Sequence, residues 1–417
     1  MNKESAEMKN SKNNLNVPNL RFPEFTEEWE RTTLGKIGAT YNGLTGKNAT
    51  DFGSGSPFIT YKSIFDDSKI DVSRVEYVRI TDTEKEKQTQ NKVEYGDIFF
   101  TTSSETPEEV GMASVLLSEI SDCYLNSFCF GYRLFNKTIH LPEFFRFYLR
   151  SKSIRRKIAV LAQGSTRFNI SKNEVMKTLI FIPSFSEQRK ISELFSLIEE
   201  RIETQKKIIE KYESLIKGLT DKVFLSITNF PMRRFDTLYV NAGEGGTPST
   251  SNPQFYENGT IPFIKIDDLT DKYLVSHKDN ITEIGLKKSS AWLIPSGSVI
   301  YSNGATIGAI SINTYSVCTK QGILGIVPND SVEAEYLYYL MTSQYFRREI
   351  HRIITEGTMK TAYLKDINKI LCPVPSFKEQ KRLAKSLASI TQRIELERKI
   401  KSILITQKRY LLSHLFI

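Results

Sequence analysis

Cysteine is scarce in this chain, four residues in 417, and no two of them form a C-x-x-C pair. Cys123, Cys129, Cys318 and Cys372 therefore frame neither a disulfide scaffold nor a zinc site. They read as reduced, mostly buried thiols of a cytoplasmic protein. No run approaches 18 consecutive apolar residues, so no membrane span is expected. Residues 1–16, MNKESAEMKNSKNNLN, lack the apolar core of a secretory signal and read as a disordered tail. Histidine is also sparse. His140, His277, His351 and His414 stand apart from one another and from the cysteines, and read as surface or core residues and not as ligands.

Phosphate and cofactor signatures are missing as well. Gly43-Leu44-Thr45-Gly46-Lys47-Asn48 has neither the spacing of a phosphate-binding loop nor the Ser/Thr that would meet magnesium. Gly243-Glu244-Gly245-Gly246 has no strand-to-helix setting. Asn252-Pro253-Gln254-Phe255 lacks the second proline of the Asn-Pro-Pro-Tyr loop of amino-methyltransferases. Asp267, Asp268 and Asp271 read as a solvated turn before a cation site. No catalytic, cofactor-binding or metal-binding residue is expected.

What the chain does have is a repeat. Residues 183–224 open Pro183-Ser184-Phe185-Ser186-Glu187-Gln188, and residues 375–416 open Pro375-Ser376-Phe377-Lys378-Glu379-Gln380. The offset of 192 holds without a gap, through Ile198/Ile390, Arg201/Arg393, Ile202/Ile394 and Leu219/Leu411. A gapless repeat of this length argues one duplicated unit. Ser184 or Ser186 can cap a helix, and Ile191, Phe195, Ile198, Ile202, Gln205, Ile209, Tyr212, Ile216, Leu219 and Val223 then recur at spacings of four and three. That is a heptad seam with one polar interruption at Gln205. The copy runs Leu383, Leu387, Ile390, Ile394 and Glu397, weakens at Lys401 and Lys408, and keeps Leu411. A long helix that is apolar on one narrow stripe needs a partner, and the expected partner is its own copy in a mutual coiled coil.

The net charge is +9, and most of the surplus lies in residues 377–417, which carry ten Lys/Arg against three Glu. A basic chain suggests an acidic partner such as DNA. Along the chain the order is globular (17–184), helix (185–228), globular (229–376), helix (377–417). Residues 35–56 and 241–258, rich in Gly, Thr, Asn and Ser, read as long loops. Strand-like runs follow near residues 57–61, 97–101, 113–117 and 128–135, with loose counterparts at 262–266 and 297–302. Residues 142–162 and 335–355 read as amphipathic helices, ending near Gly164 and Gly357. Together these make an α+β chain with an internal pseudo-twofold repeat. Its loops carry donor-rich side chains able to meet base edges or phosphates: Tyr41, Asn42, Thr45, Lys47, Lys62, Ser103, Ser104 and Arg167, then Lys265, Ser302, Asn303, Lys320, Gln321 and Lys360.

The whole plan resembles the specificity subunit of type I restriction–modification systems. The resemblance rests on the Pro-Ser-Phe-x-Glu-Gln openings, on the 192-residue repeat, and on Gly164-Ser165-Thr166-Arg167-Phe168-Asn169-Ile170-Ser171. Leu20-Arg21-Phe22-Pro23-Glu24-Phe25 with Trp29 adds to it. The second turn, Gly357-Thr358-Met359-Lys360-Thr361-Ala362, departs from the first. The resemblance implies two mixed α/β target-recognition domains, each reading one half of a split sequence in double-stranded DNA. Two long antiparallel helices forming a coiled coil would separate them. Two methyltransferase subunits would dock and supply S-adenosylmethionine. Restriction subunits would bring ATP and magnesium chemistry, and this chain would bind neither cofactor. Two other readings stay open on the residues alone: a catalytic fused restriction–methylation enzyme, and a coiled-coil scaffold that binds no DNA.

Overall fold

The computed structural model describes residues 16–87, 91–225, 230–304, 306–354 and 360–417. The tail over residues 1–15, the end of the first helical segment over 226–228, and Gly357, Thr358 and Met359 lie outside them.

Both Pro-Ser-Phe stretches start helices for the same local reason. Ser184 Oγ accepts from Glu187 N at 3.3 Å, and Ser376 Oγ accepts from Glu379 N at 3.4 Å. The helices then run Phe185–Leu225 and Phe377–His414. The motif glutamine does equivalent work twice. Gln188 is buried; its Nε2 donates to the Pro183 and Ile139 carbonyls at 2.9 and 3.0 Å, and its Oε1 accepts from Leu141 N at 2.8 Å. Gln380, also buried, donates to the Pro375 and Ser331 carbonyls at 3.0 Å each and accepts from Glu333 N at 2.9 Å. Each glutamine ties the first turn of a long helix to the loop that starts a globular helix, and a buried amide needs all three partners. The motif glutamates differ. Glu187 is buried under a two-pronged bond from Arg21, at 2.8 and 2.7 Å, whereas Glu379 pairs with Arg382 of its own helix.

The chain folds as two units whose boundary falls inside both long helices. One comprises the chain up to Thr204 together with Ile400–Ile417, and the other is Gln205–Lys399. In the first unit a four-stranded antiparallel sheet has the order Gly38–Asn42, Cys129–Leu134, Ile98–Thr101, Ala113–Val115. Glu30–Thr33 pairs with Leu179–Ile182 just before the first long helix. The core gathers Trp29, Phe100, Phe144, Phe145 and Tyr148, and closes on Phe195 and Phe416 from the long helices. Phe416 stacks on Phe195 with centroids 5.7 Å apart and meets Phe144 edge-on at 5.8 Å.

The second unit repeats this arrangement around a five-stranded sheet, ordered Tyr239–Glu244, Ile323–Pro328, Val299–Ser302, Ile310–Asn313, Tyr273–Leu274. Met232–Arg234 pairs with Leu371–Pro373 before the second long helix. Its core gathers Phe224, Phe235, Tyr301, Tyr336, Phe346 and Leu387.

The two long helices pair antiparallel. In the first unit Phe195 meets Phe416 and Lys408 Nζ meets Glu199 at 2.5 Å, so rising numbers on one helix face falling numbers on the other. In the second unit Gln205 Nε2 donates to Glu397, and both side chains are buried. These two positions are equivalents in the repeat, so the polar interruption of one seam pairs with the polar interruption of the other. Ile191, Ile198, Ile209, Leu387 and Ile394 are buried, while Ile202, Leu219, Leu383, Ile390 and Leu411 are half-buried. Lys408 is no gap in the seam, because its ammonium completes an ion cluster with Glu199 and Arg146.

Three expectations are corrected. Residues 35–56 are not one long loop: Gly38–Asn42 is a sheet strand, and Phe52–Ile59 is another. Close packing explains one glycine of the first of these strands and one of its neighbour: a Cβ on Gly38 would lie 2.5 Å from the Tyr132 ring. A Cβ on Gly131 would lie 2.1 Å from the Tyr41 ring, so glycine lets that ring lie flat across the neighbouring strand. Residues 241–258 are corrected likewise, since Tyr239–Glu244 is a strand and Pro253–Phe255 a short 3-10 turn. Finally, each expected amphipathic helix is two. Pro142–Tyr148 and Lys152–Ala159 break at Ser151, and Ala334–Thr342 and Gln344–Ile353 break at Ser343. Both serines are buried and cap the second helix of their pair, a job serine does better than any helix-interior role.

Candidate nucleic-acid interface

In the first unit the candidate residues gather where the strands Gly38–Asn42 and Ile98–Thr101 end. Asn42 and Thr45 line a cavity of about 340 Å3 together with Thr102, Ser127, Phe130 and Lys172. Lys172 Nζ donates to Asn42 Oδ1 at 2.6 Å, across 130 residues of sequence. Ser103 and Ser104 form a short strand against Phe168–Asn169. They are buried, so they support the surface and do not present hydroxyls from it. Ser103 O accepts from the Tyr61 hydroxyl at 2.6 Å. Arg167 is exposed beside this pair, on a turn that Gly164 makes possible: Gly164 has φ +131°, and a Cβ there would lie 2.2 Å from Arg167 O. Burial raises the Tyr61 hydroxyl pKa, and the Arg167 charge is among the groups opposing that rise. Lys62 is exposed on the short helix Tyr61–Asp66.

Two candidates of the first unit are engaged inside the fold instead. The Tyr41 hydroxyl donates to Asp97 Oδ2 at 2.7 Å, and Arg133 grips the same carboxylate at 2.8 Å through both Nε and Nη2. Burial first, then the Asp97 charge, drives the Tyr41 hydroxyl well above its usual range. Lys47 is nearly buried, with its Nζ 2.7 Å from both Glu84 oxygens; that bond is the main reason the Glu84 carboxyl sits down at about 2. Neither side chain is free to meet a nucleic acid.

In the second unit Lys320, Gln321 and Lys360 are exposed. Ser302 and Asn303 are buried at the end of their strand. Asn303 Nδ2 donates to Ala362 O at 3.2 Å, and Asn303 O accepts from Ala362 N at 2.9 Å. The first unit has the same backbone bond, Ile170 N to Thr102 O at 2.9 Å. That register makes Lys360 the equivalent of Phe168, one residue away from the place equivalent to Arg167. Lys265 pairs with Asp279 at 2.9 Å, Asp268 caps its own turn through Lys265 N at 2.9 Å, and Asp271 lies 3.5 Å from Arg398. Among the described residues no group of three metal-ligating side chains comes together. All four cysteines are free and buried, and burial pushes the Cys123 and Cys318 thiols up to about 12 and about 11.

Sequence reasoning missed two residues here. Lys172 directly follows the Gly164–Ser171 stretch, but nothing local marks its reach to Asn42. Glu244 sits in a glycine run that drew attention for cofactor binding alone. In the sheet, Asn42 pairs with Phe130, and Phe130 with Phe100; Glu244 pairs with Leu324, and Leu324 with Tyr301. The two therefore occupy one register position in the two units. Glu244 is exposed, and its Oε1 accepts from Gly322 N at 2.7 Å.

The family model for the type I restriction modification DNA specificity domain matches residues 26–214 and again residues 240–404. Among curated relatives, the putative type I restriction enzyme MjaX specificity subunit of Methanocaldococcus jannaschii is 25% identical over 93% of this chain and 92% of its own. The MjaIX specificity subunit of the same organism is 33% identical, but over 38% of each chain. The Escherichia coli EcoR124I/EcoR124II specificity subunit is 26% identical over 43% of this chain and 49% of its own. Among solved structures, the S subunit of a type I restriction–modification system from M. genitalium aligns over 96% of this chain and 99% of its own, with a TM-score of 0.55 at 16% identity. A chain from a study of complex assembly and conformational transition in a type I system aligns over 92% and 96%, with a TM-score of 0.60 at 19% identity. At those identities the likeness is one of fold. The family model covers most of the chain, once in each half, and so the chain belongs to the family of type I restriction–modification specificity subunits.

Proposed function

We propose that this chain reads a bipartite sequence in double-stranded DNA, one half-site per globular unit, as the specificity subunit of a type I complex. The observation that carries the reading is that the specificity-domain model matches twice, over residues 26–214 and 240–404. An exposed polar or basic surface at the strand ends of each unit supports it, with Asn42, Lys62 and Arg167 in the first and Glu244, Lys320 and Lys360 in the second. Lys and Arg there would set phosphate contacts, and the amide and carboxylate would meet base edges.

In this reading the chain does no chemistry itself. Two methyltransferase subunits dock on it and bring S-adenosylmethionine, and restriction subunits bring ATP and magnesium. The paired helices hold the two readers at a set spacing. The setting is the cytoplasm; among the described residues no helix is long and apolar enough to cross a membrane. Methylome sequencing of a host expressing the chain with its neighbouring methyltransferase tests the reading. The expected outcome is one split motif with an adenine modified in each half. Methyl transfer to DNA by the purified chain alone would overturn the non-catalytic part, and absence of any motif would overturn the whole.

A further inference from the structure

Asn42 and Glu244 share a register position, yet they offer opposite hydrogen-bonding character. In the first unit Lys172 Nζ donates to Asn42 Oδ1 at 2.6 Å. An ammonium can only donate, so this contact settles which way the amide of this cavity-lining residue faces, with oxygen toward Lys172 and the Nδ2 group on its other side. Asn42 therefore acts as a donor. In the second unit Gly322 N holds Glu244 Oε1 at 2.7 Å, leaving Oε2, which as a carboxylate oxygen only accepts. The counterpart of Lys172 in the 192-residue repeat is Leu364, which brings no ammonium to that place.

We propose that Asn42 and Glu244 are a specificity-determining pair, and this rests on the DNA-reading function above. Asn42 takes a base whose edge offers acceptors, guanine or thymine on the strand it faces. Glu244 takes a base that offers an amino group, cytosine or adenine. The usual asparagine–adenine contact is two-pronged, with the amide donating to N7 and accepting from N6. Here Lys172 takes one lone pair of the accepting oxygen and sets a second donor, a cation, beside the place of the adenine amino group. The contact with adenine is therefore disfavoured relative to a base that offers acceptors to both. Lys172 is then a positioning residue that acts through Asn42.

The test uses the whole complex in a host, read by methylome sequencing of the wild type and three near-isosteric or neutral variants. Asn42→Asp should invert one base pair of one half-site, from guanine or thymine on the faced strand to cytosine or adenine. Lys172→Met should let adenine in at that same base and leave every other base unchanged. A merely structural lysine would lower methylation overall without changing which base is accepted. Glu244→Gln should change one base of the other half-site alone. Each discriminated base is expected to shift by roughly tenfold or more in methylation rate. If a variant methylates too weakly to give a motif, gel shifts of its complex on duplexes carrying each of the four bases at the wild-type positions decide, and equal binding to all four overturns the assignment. So does an unchanged motif, or a change in both half-sites from one substitution. A wild type that yields no motif and shifts no DNA sinks the DNA-reading function itself, whereas a wild-type motif that all three variants preserve sinks only the roles given to Asn42, Lys172 and Glu244.

Discussion

Single buried amides hold the long helices to the globular parts. Gln188→Ala would leave Leu141 N and the Pro183 and Ile139 carbonyls without their side-chain partner in a dry site. The expected cost is about 2–4 kcal/mol, measured by urea unfolding of the full chain. Gln380→Ala should cost a similar amount. A much smaller loss in both would mean that water replaces the amide. Lys47 and Glu84 make a pH-dependent contribution. Glu84 titrates lower folded than unfolded, so the unfolded chain binds more protons between the ordinary glutamate range and about pH 2. The pair's stabilisation is complete above that ordinary range and is lost as pH falls toward 2. Lys47→Met should flatten this part of the stability profile, lowering stability most above the ordinary glutamate range and least near pH 2. Asn42, Thr45 and Arg167 were legible as polar loop residues. Tyr41 and Lys47 looked identical in kind, and only the paths of Asp97 and Glu84 through space separate them.

At the scale of elements, the heptad pattern made both long helices and their polar interruption readable, because one stripe of apolar residues has few ways to be buried. What could not be read was that Gln205 and Glu397 meet each other. The pair argues its own test. Gln205→Leu alone removes one partner of a buried carboxylate, which keeps its ion pair to Arg393, and should cost roughly 1–3 kcal/mol. Gln205→Leu with Glu397→Leu should recover most of that loss by thermal melting, since a matched apolar pair leaves nothing buried and unpaired. The strands at Gly38–Asn42 and Tyr239–Glu244 were hidden by composition. Their glycines accommodate neighbouring rings, Gly38 under Tyr132 and Gly243 against Trp292, a packing demand that single-sequence turn statistics read as a loop.

At the scale of the whole molecule, the proposed spacing role makes a metric prediction. Duplicating the heptads 199–205 and 391–397 would add one seam repeat to each helix and create a second Gln–Glu pair in phase. Seven residues lengthen a helix by roughly 10 Å, about three base steps of DNA, so the unread gap in the methylated motif should grow by about three bases while the half-sites stay the same. A gap that does not change in an active variant would show that the helices do not set it. The first unit has a further property that concerns time. Its core closes on Leu415 and Phe416, which the ribosome makes roughly two hundred residues after Thr204. At ~5–20 residues per second that is a wait of roughly 10–40 s, during which Phe144, Tyr148 and Phe195 lack their covering ring. The nascent first half is therefore the species that chaperones must hold, and any truncated product would share its sticky face.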